Sequence, residues 1–174
     1  MNVSTFYALF SATCFTIVGL WWGVVQRDTT WVLDRTLRRS IGGVYLAFLL
    51  PGLMGLFAQV GSVEEPLVWR LSFVLIAVIG VVAMWRLLGS DDDPGVWPVR
   101  MGAVSTYILI AVVGMFPQLA SVIGLRGIQV EGILLVLLVA LGHAMVWRFL
   151  VHTALSAASE HRTTPHVGGR HPPP

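Results

Sequence analysis

The sequence predicts an all-α integral membrane protein, a bundle of about five transmembrane helices. Three observations carry that prediction: an apolar composition, continuous apolar runs of membrane-spanning length, and short polar gaps between the runs. Of 174 residues, 56% are hydrophobic and 11% charged, against about 25% charged in a soluble domain. Mean hydropathy is +0.79. A water-soluble fold of this size has too little interior to hide so many apolar side chains. Lipid removes the problem by solvating the outer face of the bundle.

About 20 mostly apolar residues in an α-helix cross the hydrocarbon layer. Five windows meet that test, at about 4–25, 41–60, 67–88, 101–122 and 133–155. The second contains Pro51 and the fourth Pro117; each frees a carbonyl and invites a kink. Between the windows, 26–40 carries Arg27, Asp28, Asp34, Arg35, Arg38 and Arg39, and 61–66 is a tight turn with Glu64 and Glu65. Asp91-Asp92-Asp93-Pro94-Gly95 is a turn signal, and 121–132 reads as a loop with Arg126 and Glu131. On this reading the bundle core holds no Asp or Glu. Residues 1–159 form the transmembrane unit. Residues 160–174, rich in Gly, Pro and His, read as a disordered cytoplasmic tail. Alternating barrel strands do not fit runs this long and continuously apolar.

Arginine placement sets the expected orientation. With the N-terminus outside and the C-terminus inside, Arg27, Arg35, Arg38, Arg39, Arg86, Arg100, Arg148, Arg162 and Arg170 lie on the cytoplasmic side, leaving Arg70 and Arg126 outside. Every basic residue is Arg and none is Lys. That composition suggests a GC-rich bacterial coding sequence, hence the bacterial plasma (inner) membrane. The first helix has no positive region before it and is expected to be retained rather than cleaved. Trp21, Trp22, Trp69, Trp85 and Trp147 fall near helix ends, where amphipathic rings form an interfacial belt.

A shift of 62 residues aligns the second and third helices with the fourth and fifth. It pairs Tyr45 with Tyr107, Gly52 with Gly114, Gly80 with Gly142, and Trp85-Arg86 with Trp147-Arg148. The pattern suggests a parallel duplication of a two-helix hairpin, although matches of this kind also arise by chance in apolar sequence. Small residues should mark helix contacts, because helices in lipid associate by close approach. Gly52, Gly55 and Ala58 share a face, as do Ala77 and Gly80, and as do Ser4, Ser11 and Cys14.

Reactive groups are few. His143 stands near the middle of the fifth helix, with Trp147 one turn away on the same face. An ionisable group at that depth is a functional candidate, as ligand, proton carrier or gate; the plain alternative is a neutral imidazole bonded to a neighbouring helix. Gln59, Gln118 and the Ser11 face of the first helix are the polar groups that can line a pathway. Glu64, Glu65 and Arg70 form an outer charged cluster, either a surface pairing or a cation-attracting vestibule. His143 and His152 are nine residues apart, so at ~100° per residue they point to opposite faces, which argues against a bis-His haem. Cys14 is alone and reads as a packing residue. No metal, cofactor or phosphate-binding motif is present, and no basic stripe for nucleic acid.

The absence of reactive groups favours a non-catalytic subunit or scaffold that meets the lipid bilayer and other membrane subunits, or copies of itself. The alternatives are an oligomeric channel or transporter with a pathway near His143, and an intramembrane lipid-modifying enzyme using His143 and the Asp91–Asp93 run.

Overall fold

A computed structural model describes residues 2–27, 30–60, 66–88 and 96–163. These are helical almost throughout, with no strand among them. The helices are α1 (Val3–Val25), a single turn α2 (Thr30–Leu33), α3 (Arg35–Val60), α4 (Pro66–Leu88), α5 (Val96–Met115) and α6 (Gly127–Thr163), with a 3-10 helix (Pro117–Ile123) between α5 and α6. Five of them, all except α2 and the 3-10 helix, are long and apolar enough to cross a membrane. The protein is therefore membrane-embedded.

The runs are rich in Leu and Ala but also in Val and Gly, so helix propensity alone does not make them helical. Lipid then demands that every backbone group be satisfied within the segment. Asn2 caps α1 by accepting from the Ser4 amide at 3.3 Å. Asp34 does the same for α3, accepting from the Leu37 amide at 3.0 Å. Pro51 leaves α3 unbroken and is itself fully buried.

Successive long helices run antiparallel, and contacts at glycines fix their register. A Cβ built on Gly52 would lie 3.0 Å from Cys14 Cβ, and one on Gly55 would strike Ser11 Oγ, which sets α1 against α3. Gly80 faces the ring of Tyr107, and Gly114 faces Val74, which sets α4 against α5. Gly102 meets Leu141, and Gly142 meets Phe48, which seats α6 on α5 and α3. The central helix is α3, with 61% of an 18-residue apolar stretch buried, against 22% for α1 and for α6. Tyr7, Met54, Phe73, Met84, Tyr107, Ile110 and Leu135 fill the core. A second apolar cluster, around Trp21, Val25, Phe48 and Phe149, closes the opposite end.

The faces of small residues pack inward as expected, at Ser11, Cys14, Gly52, Gly55, Ala58, Ala77 and Gly80. Ser4 is an exception and is exposed at the start of α1. Two of these tryptophans, Trp21 and Trp69, pack inside the bundle rather than facing outward. Trp21 is 5% exposed and its Nε1 donates to the Ile41 carbonyl at 3.3 Å; Trp69 is 8% exposed and stacks edge-on against Phe73. Trp22, Trp85, Trp97 and Trp147 do face outward.

The fourth and fifth spans differ from the sequence reading. Pro117 has no amide hydrogen to donate, and the residue before a proline is pushed out of the helical region. Phe116 accordingly adopts φ −125° and ψ 68°. The helix ends at Met115, and Pro117–Ile123 tighten into the 3-10 turn. Gly124, at φ 72°, reverses the chain, and α6 then starts at Gly127 rather than near 133. Its far end continues to Thr163, so 160–163, read as tail, are helical; 164–174 lie outside the described residues.

Candidate functional site

That early start of α6 turns a loop residue into a core residue. Glu131, placed by the sequence in a loop, lies one turn inside α6 and is 0% exposed. The core therefore contains a carboxyl group, against the expectation that it holds none. Neither Glu131 oxygen has a hydrogen-bond partner among the described residues. Its surroundings come from three helices. A Cβ on Gly114 of α5 would lie 3.7 Å from Glu131 Oε1 and 3.1 Å from Val74 of α4, so the carboxyl rests close to bare backbone. Tyr7 of α1, 1% exposed, lies within electrostatic reach of Glu131 and donates its hydroxyl to the Ile128 carbonyl at 2.6 Å.

The cation of the cluster is Arg70 on α4. Its Nε donates to the Gly114 carbonyl at 2.9 Å and an Nη to the Met115 carbonyl at 2.8 Å. Pro117 is why those carbonyls are available, since a helix that ends leaves its last C=O groups unmatched. A guanidinium there also opposes the negative end of the α5 dipole. Gly127 closes the cluster from above: a Cβ there would lie 2.9 Å from Pro117 Cβ, so the 3-10 helix and the start of α6 can meet only with glycine at that position.

The residues singled out from sequence do not converge on one pathway. His143 is exposed on the outer surface of α6, its Nδ1 2.8 Å from the Val139 carbonyl of the same helix. One edge packs at 88° against Phe48, centroids 5.2 Å apart. Its Nε2 has no partner among the described residues. Trp147 continues the same face and is 71% exposed. Ser11 is buried against Gly55, with no hydrogen-bond partner among the described residues. Gln59 is half-buried and donates to the Gly55 carbonyl at 3.3 Å, within its own helix. Gln118 is exposed on the 3-10 helix rather than at the end of a membrane span. Glu64, Glu65 and the Asp91–Asp93 run lie outside the described residues, and the bonds Arg70 makes here go to α5. A small apolar gap touches Met84, Tyr107, Leu138 and Met145 in the middle of the bundle, and the Tyr107 hydroxyl has no partner among the described residues.

A sequence signal for Glu131 does exist. Glu131, Leu135, Leu138 and Gly142 succeed one another at spacings of four, three and four, and all four are buried. The glutamate thus continues the inward stripe of α6. No family model, curated protein or solved structure matches the chain.

Proposed function

We propose that the protein is a non-catalytic subunit of a membrane complex, which meets its partner through the outward face of α6. The observation behind this reading is the position of His143. Ionisable side chains within membrane spans nearly always face the bundle interior or a watery cavity. Here the ring lies on the outer surface at mid-span, with Nε2 unmatched among the described residues. Hydrocarbon offers that nitrogen nothing; with Nδ1–H donating to Val139, Nε2 is an acceptor, and a hydroxyl or N–H donor on a partner helix satisfies it. Ala140, His143 and Trp147 form a stripe of exposed residues at spacings of three and four, the pattern of a helix contact.

The partner is another membrane subunit or a second copy of this chain. A homo-oligomer leaves room for the channel reading, since His143 would then line a seam between copies. The single chain supports that reading less well, because the gap in its interior beside Tyr107 and Met84 is small and apolar. The N-terminus is placed outside and the C-terminus in the cytoplasm of a bacterial plasma membrane, on the arginine distribution and the all-arginine basic composition. The 62-residue shift puts the start of α4 at Pro66 beside Ile128, one residue into α6, which favours an ancestral hairpin duplication; the unbroken passage through Pro51 and the break at Pro117 are where the two halves diverge.

Native mass spectrometry of the protein extracted in mild detergent tests the subunit reading. The wild type should appear in an assembly of fixed stoichiometry. H143A and W147A should release it as a monomer that unfolds at nearly the same temperature. A wild-type chain that is monomeric both in detergent and in lipid nanodiscs refutes the reading. Flux through liposomes separates the channel alternative, which requires transport that H143A abolishes.

A further inference from the structure

A buried carboxyl that none of the described residues answers calls for a proton or a cation. An ionised carboxylate withdrawn from water is strongly disfavoured unless a cation or several donors compensate it, and both Glu131 oxygens lack partners among the described residues at 0% exposure. Among the described residues, the charged and titratable groups near it are few. From α1 comes Tyr7, whose hydroxyl proton is committed to Ile128. From α4 comes Arg70, whose guanidinium is committed to Gly114 and Met115. α5 presents the backbone of Gly114, which has no side chain. The 3-10 helix contributes no charged side chain, nor does the end of α3 near Gln59. Arg126, just ahead of α6, is exposed.

We propose that Glu131 is a reversible proton-binding site, occupied in the packed form and emptied when Arg70 leaves the α5 carbonyls to pair with the carboxylate. The step balances simply. The O–H bond of the acid breaks, the proton passes to water at the end of the bundle closed by the 3-10 helix, and the electron pair stays on the carboxylate. Arg70 then exchanges two carbonyl acceptors for one anionic acceptor, a charge-assisted bond about twice as strong as a neutral one. Distance favours the exchange: Arg70 already bonds the carbonyl of the residue beside which the carboxyl rests. Glu131 is also only four residues into α6, about 6 Å along the axis, so the route to water is short. The site goes beyond the subunit reading and does not depend on it, because His143 lies on another face.

The test uses the full chain in lipid vesicles. The glutamates are Glu64, Glu65, Glu131 and Glu160, so E64Q/E65Q/E160Q leaves Glu131 as the sole one. With carboxyl-labelled glutamate, infrared spectroscopy then reads the protonation of that residue in a site left intact. The expected spectrum at neutral pH shows the stretch of a protonated acid, which gives way reversibly to carboxylate as the medium is made alkaline. R70Q should move that change to higher pH, by about one unit or more, since it removes the counter-charge. A carboxylate signal at neutral pH overturns the proposal, and so does an acid signal that persists until the protein unfolds. A titration unchanged in R70Q overturns the part given to Arg70.

Discussion

At the scale of single residues, stability rests on what small side chains let approach. A Cβ at Gly80 would lie 2.6 Å from two ring atoms of Tyr107, whose ring is fully buried. G80A should therefore destabilise the bundle by about 1–3 kcal/mol, the usual cost of overpacking a filled site, seen as an earlier thermal unfolding transition in detergent. Y107F removes a hydroxyl without a partner among the described residues, and the same measurement should show no loss or a gain within about 1 kcal/mol. Gly80 was legible in sequence as a contact residue from its spacing to Ala77. Tyr107 was not, because an aromatic in an apolar run faces lipid or core equally well until a glycine opposite it decides. The same limit explains Trp21: proximity to a helix end predicts the interface, and only the Ile41 carbonyl across the helix pair shows that its N–H is satisfied inside.

At the scale of elements, the end of α5 is held by a side chain from another helix. R70A should leave the carbonyls of Gly114 and Met115 unmatched and loosen the last turn of α5. Hydrogen–deuterium exchange should then rise over residues 112–124 while α1 and α3 keep their protection. R70K should restore part of it, since an ammonium lacks the planar fork that spans two carbonyls. The hydropathy window missed this break because the 3-10 residues Leu119, Ala120, Val122 and Ile123 are as apolar as a helix. The proline was visible, but whether a proline kinks a helix or ends it depends on the residues C-terminal to it. After Pro51 come residues that keep packing on α1, and the helix goes on. After Pro117 comes Gly124 in a left-handed conformation, and the chain turns back. Placing the turn six residues late also hid Glu131, the carboxyl at the centre of the candidate site.

At the scale of the whole molecule, the number and rough limits of the spans were legible, because hydrocarbon thickness sets a length that composition reveals. The order of packing was not. That α3 lies at the centre depends on which faces fit, through pairs such as Gly55 with Ser11 and Gly142 with Phe48. The division between lipid-facing and packed surface can be measured with two residues on α4. Phe73 is 0% exposed and Leu75 is 62% exposed. F73A should cost about 3 kcal/mol through the cavity it leaves, and L75A about 0.5 kcal/mol or less, both read from unfolding in detergent. Comparable losses at the two sites would mean that Leu75 is covered.

The length of α6 has a mechanical consequence. In the sequence its apolar run ends at Leu155, and the helix continues through Thr163, eight residues further. At 1.5 Å per residue that adds about 12 Å of rigid rod. Residues 156–163 are thus a rigid polar extension of the last membrane helix, its length set by helix geometry rather than by the reach of a slack tether.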